Sequence, residues 1–178
     1  SLIMAFSKII AESMDLTDAY NFTGTLQQNG ASIGGNNKPL ILAVGNTSQT
    51  VANNTNVKVT LLNTQPINTG GTWDSSNHRW TPGEAGTYFF SGQTSCNISN
   101  SGKYLQCAIY KNGSVIKVTQ QTAEGTNATY TVECHIMDVA DADDYYELYV
   151  RQNTGGNVTL NYDTNAKYTM FQAFKVIT

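Results

Sequence analysis

The 178-residue chain predicts an all-β antiparallel sandwich, and three features carry that reading. From Leu40 onward, apolar residues recur at every second position in segment after segment, the period of a strand with one buried face. Turn residues stand between those segments, among them Pro82-Gly83 and Asn112-Gly113, the latter a pair that favours the tightest hairpins. Several segments are apolar on both faces, which predicts a second buried surface beyond the sandwich core and hence self-association.

Residues 1–38 differ from the rest and read as an N-terminal neck or attachment segment with a linker; residues 39–178 read as the head. In the neck, residues 6–16 suit a short helix, with Ser7 as cap and Ile10 and Met14 on one face, too short to stand unpacked. Residues 20–26 alternate like a strand, and residues 27–39 are linker-like in their glycines and amides. The head opens with the apolar run Leu40 to Val44, and Val57, Val59 and Leu61 then alternate. Between Thr87 and Cys96, Tyr88, Phe90, Thr94 and Cys96 share one face and Phe89 takes the other. Leu105, Cys107 and Ile109 lead into Asn112-Gly113, and the chain returns through Val115 to Val118. Tyr130, Val132, Cys134 and Ile136 line one face against Thr131, Glu133 and His135, and Tyr146, Leu148 and Val150 do the same with Tyr149 opposite. Residues 167–177 form the last strand, with Met170, Phe174 and Val176 on one side and Phe171, Ala173 and Ile177 on the other. Tyr88, Phe89, Phe90, Tyr149, Phe171, Phe174 and Ile177 are thus the expected core and self-association residues, with Phe89, Phe171 and Ile177 assigned to the second surface.

Composition narrows the function. Only 13% of residues are charged, the net charge is -3, and the Lys and Arg residues are scattered, which excludes nucleic acid and anionic membrane as partners. Polarity comes instead from Asn and Thr, each about twenty in number. No stretch approaches the roughly 20 apolar residues of a membrane helix, and the N-terminus shows no signal-peptide pattern. Cys96, Cys107 and Cys134 lack metal-ligand spacing; they read as small buried hydrophobes, or as one disulfide with a thiol left over.

Catalysis finds little support. His78 sits in a loop and His135 on a strand, and no Ser or Cys has a nucleophile-elbow context. Glu84, Glu124, Glu133 and Glu147 are too dispersed to nominate the two opposed carboxylates of a glycan hydrolase. The chain is read as non-enzymatic, with no catalytic residue and no cofactor. Binding is the better-supported class. Between Trp73 and Trp80, His78 and Arg79 are the expected exposed pair, while the tryptophans read as strand ends or as rings for stacking sugars. Asn97, Asn100 and Lys103 belong to one polar stretch and Asn153 and Asn157 to another, and a variable binding surface is expected on such loops.

In order along the chain, Pro82-Gly-Glu-Ala-Gly-Thr-Tyr88, Tyr110-Lys-Asn-Gly113, Asp144-Tyr-Tyr-Glu-Leu-Tyr-Val150 and Tyr168-Thr-Met-Phe-Gln-Ala-Phe174 resemble the strand-and-turn series of the C1q/TNF-like head, over about residues 40–178. The resemblance implies a ten-strand antiparallel jelly-roll sandwich that assembles as a homotrimer. The chain departs from the family at Ala142-Asp-Asp144, where Gly-Asp is usual, and no Gly-x-y stem precedes the head. The segment from Met4 to Leu16, with Phe22-Thr-Gly-Thr-Leu26, is similar to segments preceding the heads of tail-fibre-like proteins of marine tailed phages. That implies a virion appendage at the particle surface, joined to other virion proteins through the N-terminal segment and meeting a host-surface receptor or polysaccharide through the head. A decoration or collar protein without ligand, and a secreted cellular adhesion protein, are the other readings. Some C1q-like heads bind calcium, and Asp141, Asp143 and Asp144 offer oxygen ligands for it, though without the EF-hand pattern; a solvated turn is the other reading of that cluster.

Overall fold

The computed structural model describes residues 37–176, together with the backbone of residues 27–28 and 31–32. The expected helix over residues 6–16, the strand over 20–26 and Ile177 lie outside the described residues. The chain divides into two compact units, Ser1–Gly35 and Asn36–Thr178. In the first, β1 (Gln27–Gln28) and β2 (Ala31–Ser32) pair antiparallel, Gln27 opposite Ser32 and Gln28 opposite Ala31. The stretch read as linker therefore contains a paired ladder. Asn29-Gly30, which separates the two strands in sequence, is the same hairpin-favouring pair as Asn112-Gly113.

The second unit is all β. In chain order its strands are β3 (Leu40–Val44), β4 (Gln49–Val51), β5 (Val57–Lys58), β6 (Thr64–Thr69), β7 (Thr72–Asp74), β8 (Arg79–Thr81), β9 (Gly86–Ile98), β10 (Tyr104–Lys111), β11 (Ser114–Thr122), β12 (Ala128–Ala140), β13 (Tyr146–Gln152), β14 (Val158–Leu160) and β15 (Met170–Lys175). One sheet runs β4-β14-β9-β15-β3-β6, with β12 along β9 as well. The other runs β11-β10-β13-β8-β7, with β5 also beside β13. Strands far apart in sequence are neighbours, β3 with β15 and β15 with β9, as in a jelly roll. The strand count exceeds the ten expected because β4, β5, β7, β8 and β14 are two- or three-residue pieces. Very short strands limit the open ladder groups that an edge would present to another chain.

The turns form as their residues require. Asn112 and Gly113 have φ of 50° and 77°, both positive, as a hairpin turn between β10 and β11 needs. Gly83 follows Pro82 with φ of 76°, the position of a type II turn that glycine fills without strain.

The core lies between the sheets. On β9, Tyr88, Phe90, Thr94, Cys96 and Ile98 are buried on one face, and β12 adds Val132 and Cys134. The facing sheet contributes Trp80, Leu105, Cys107, Ile109, Tyr146, Leu148 and Val150. Phe90 stacks on Tyr146 at 3.9 Å, and the Trp80 ring meets Tyr88 and Phe90 edge-on at 6.0 and 6.4 Å. Full burial of one such ring contributes about 1.5–3 kcal/mol, so this cluster is a major part of the driving force for sandwich formation. Space is tight at β9: a Cβ on Gly92 would lie 2.2 Å from Leu148 Cδ1.

The last strand corrects one expectation. Phe171 pairs with Gly92 in register, is buried and lies 6.3 Å from Phe90, so it belongs to the sandwich core and not to a second surface. Phe174 pairs with Phe89 and lies on the opposite face. The period of two separates the faces of a strand; only its register shows which face meets the core.

Candidate functional site: an apolar sheet face and a polar cleft

The first sheet has an outward face with its own composition. One register row crosses four strands as Leu40, Phe174, Phe89 and Met137, all apolar. Phe89 and Phe174 lie 5.4 Å apart, and the His135 imidazole stacks on Phe89 at 6.0 Å and 14°. Met137 is 59% exposed and Val139, two residues along β12, is 68% exposed. The next positions toward the middle of β9 and β12 are polar. His135 Nδ1 lies 3.0 Å from Ser91 Oγ, and its Nε2 lies 3.3 Å from Glu133. His135 is thus held on the sheet surface between the Ser91 hydroxyl and the Glu133 carboxylate. Met137 and Val139 were missed from the sequence; the signal was there, since the polar positions Thr131, Glu133 and His135 are continued at the same period by two apolar side chains.

Beyond that polar stretch the face ends in a cleft of about 360 Å³, lined by Asn97, Thr129, Asn161, Tyr162 and Tyr168 among others. Thr129 Oγ1 donates to Asn97 Oδ1 at 2.6 Å, and Asn161 Nδ2 donates to Ser95 Oγ at 3.1 Å. The two tyrosines flank a turn tied by Asp163, whose carboxylate accepts the Ala166 and Asn165 N–H groups; these hold it below the usual carboxylate range. Amides, hydroxyls and exposed phenol rings in one concave site suit hydrogen bonding to a neutral polyol. Asn97 is the one predicted ligand residue that lines it.

The other predicted ligand residues do not converge. Asn153 Oδ1 accepts the Tyr104 N–H at 2.6 Å and ties its loop to the stretch holding Asn100 and Lys103; Asn100 and Asn157 are exposed and Lys103 is half-buried. His78 and Arg79 sit near the other end of β13, where Trp80 pairs with Tyr146. Five or more residues of strand separate the two groups, roughly 17 Å at about 3.3 Å per residue.

The Trp73–Trp80 loop is structural. Trp80 is buried and opposite Trp73 in register, while Asp74 ties the turn by accepting the Ser76 and Asn77 N–H groups and the Asn77 amide. The Asn77 amide is the first cause that holds the Asp74 carboxyl below its ordinary value. Arg79 and His78, expected as an exposed pair, are half-buried: Arg79 donates to Asp74 at 3.2 Å and lies 4.4 Å over the Tyr145 ring, and His78 takes φ of 49° with Nδ1 buried. The exposed tip is Ser75, Ser76 and Asn77. Tyr149 lies on the outward face of the other sheet, stacked on Tyr110 at 4.0 Å, and so does not join Phe89 and Phe174.

At the acidic cluster, Asp144 is buried, and its carboxylate accepts bonds from the Asn112 amide (2.6 Å), the Asp141 N–H (2.7 Å) and the Lys111 ammonium (2.9 Å). Burial alone would raise its pKa, but the Lys111 bond and the two N–H donors outweigh that and lower it. Asp141 and Asp143 are exposed. A calcium ion here would have to displace Lys111, which also reaches Asp138 at 3.1 Å. Among the described residues, no three His, Cys, Asp or Glu side chains are grouped as metal ligands.

The cysteines are free and buried, as small hydrophobes would be. Cys107 Sγ and Cys134 Sγ approach to 3.1 Å across the two sheets. Burial, then the bond to Cys134, pushes the Cys107 thiol well above its ordinary pKa, and burial pushes Cys96 up to about 11.

No protein-family model and no curated protein matches the chain. Among solved structures it is similar to Eiger TNF from S. frugiperda, at 13% identity and a TM-score of 0.61, over 78% of this chain and 92% of that one. The fold is therefore a TNF-like jelly roll.

Proposed function

We propose that the chain forms the homotrimeric, non-catalytic head of a phage virion appendage that adheres to a receptor or glycan on the host surface. The observation that carries the trimer is the four-strand apolar row Leu40–Phe174–Phe89–Met137 on the outward sheet face. A monomer would leave Met137 and Val139 in water and Leu40, Phe89 and Phe174 only half-buried, whereas three copies meeting around an axis bury them. The appendage role and virion location rest on the N-terminal resemblance, which also assigns residues 1–38 to attachment through other virion proteins. Adhesion fits the composition, with amide- and hydroxyl-rich clefts and little net charge. Three weak sites held on one head gain avidity without any single strong contact.

Two measurements test the reading. Sedimentation equilibrium is expected to give three times the chain mass of 19.3 kDa; a monomer at every concentration reached refutes the assembly. Labelled head is expected to bind whole host cells, and a stable trimer that binds no cell or extracted surface polysaccharide refutes adhesion in favour of a ligand-free decoration.

A further inference from the structure

The outward face of the second sheet carries a groove of about 190 Å³ that the sequence reading left unused. Register places Gln106 beside Arg151 and Ala108 beside Tyr149 and Val118. The methyl of Ala108 makes a low floor between two larger side chains, and Tyr110 stacks on Tyr149 to form one wall. Val118, 46% exposed, stands on the other side.

Arg151 is the unusual member. Its Nε is buried without a hydrogen-bond partner, and among the described residues no carboxylate lies within ion-pair distance of its guanidinium. The chain's other arginine, Arg79, is paired with Asp74 and stacked on Tyr145. Lys58, opposite Tyr149 in register, is already engaged by the Glu147 carboxylate and the Asn77 carbonyl. A planar, permanently charged guanidinium with one donor buried and unpartnered, and no protein carboxylate beside it among the described residues, offers its fork to a planar anion from outside. Tyrosine rings, a shallow apolar floor and the side-chain amides of Gln106 and Asn56 beside it are the surroundings that a sugar ring with hydroxyls can use. The volume is below the about 300–1,000 Å³ of sites that enclose drug-sized ligands, so it suits a single ring.

We infer that this groove is a binding subsite for a carboxylate-bearing sugar ring, a uronate of an acidic polysaccharide, with its carboxylate on Arg151 and its ring against Tyr149, Tyr110 and Val118. The identity of the ligand as a saccharide rests on the adhesion proposed above; the anion site rests on the groove alone. It lies on the sheet opposite the apolar row, so trimer formation through that row leaves it open.

Titration calorimetry of the whole chain tests this, with oligogalacturonate as probe and maltotetraose as the neutral control. Oligogalacturonate is expected to bind at least tenfold more tightly than maltotetraose. Arg151→Gln should weaken it by about tenfold or more, the usual effect of losing a charged hydrogen bond. Arg151→Lys should recover only part of that, because the donor fork is lost. Val118→Glu, at an exposed edge position, gives a second variant and should also weaken binding. Melting curves confirm that each variant is folded, and wild-type amide shifts on oligogalacturonate addition should centre on Ala108 and Arg151. Equal binding of both sugars, or undiminished binding by folded Arg151→Gln, overturns the site. Arg151-dependent binding of an acidic peptide in place of oligogalacturonate overturns the sugar assignment. Whole-cell binding that folded Arg151→Gln retains in full sinks this site and leaves adhesion standing. Oligogalacturonate binding through Arg151 without cell binding does the reverse.

Discussion

Replacing Met137 with Gln and Val139 with Thr removes apolar surface from the outward face while keeping side-chain size and strand preference. Met137 is 59% and Val139 68% exposed, so each has more than half its burial still to gain on assembly. Full burial of such a side chain contributes about 2 kcal/mol, so the double change removes about 2.5 kcal/mol per protomer, or roughly 7.5 kcal/mol over three. That is about five orders of magnitude in the association constant at about 1.4 kcal/mol per tenfold. A monomer–trimer midpoint varies as the square root of that constant, so it should move upward by about 300-fold. Sedimentation equilibrium over a dilution series reads the midpoint directly. The fold should survive, since neither side chain belongs to the sandwich core and both already stand in water in the monomer. A midpoint within threefold of wild type would refute the assignment of this face to assembly. A variant that unfolds would refute the claim that these residues lie outside the core.

Three further outcomes follow from the burial and electrostatics. Asp144→Asn should lower stability by about 2 kcal/mol, roughly 5 °C in melting temperature, because it weakens the bonds from Lys111 and the Asp141 N–H. The folded-state pKa of Asp144 is lowered, so its contribution is present above about pH 4 and fades as pH falls through the folded value; the gap between wild type and variant should close in acid, and a gap that persists there refutes the linkage. Burial raises Tyr88 to about 12, against about 10 in the unfolded chain, so stability should be level below pH 10 and decline as pH rises toward 12; a urea midpoint that stays constant from pH 9 to 12 counts against it. Finally, native protein at pH 8 should resist a thiol reagent at all three cysteines, which are buried with Cys96 and Cys107 raised above their ordinary pKa, and react fully in denaturant; rapid labelling of the folded chain would contradict their placement.

Much of the architecture was legible because local chemistry and global fold agree. The alternation of Tyr88, Phe90, Thr94 and Cys96 against Phe89 is the alternation of buried and outward positions on β9, and Asn112-Gly113 turns where such a pair favours turning. The same chemistry was overlooked at Asn29-Gly30, where glycines and amides nearby suggested a linker. Phe171 and Phe174 were harder. Both lie on one strand at positions of opposite parity, and no residue type near them says which parity faces the core. Arg79 and Arg151 show the same limit for sites. Two arginines at strand ends look alike in sequence, yet one is paired with Asp74 while the other has a buried Nε without a hydrogen-bond partner among the described residues.

By itself, the sequence determined the class of fold, the positions of the turns and the two-faced character of the strands, because these depend on residue type at spacings of two to four. It also determined a surface chemistry of few charges and many neutral Asn and Thr side chains. The tertiary structure alone decided the row Leu40–Phe174–Phe89–Met137, the separation of Tyr149 from it, and the groove around Arg151. Those features join strands well over a hundred positions apart in sequence, as Leu40 and Phe174 are, and pairing register between such strands is set by how whole sheets pack together, a long-range outcome that no local window of residues contains.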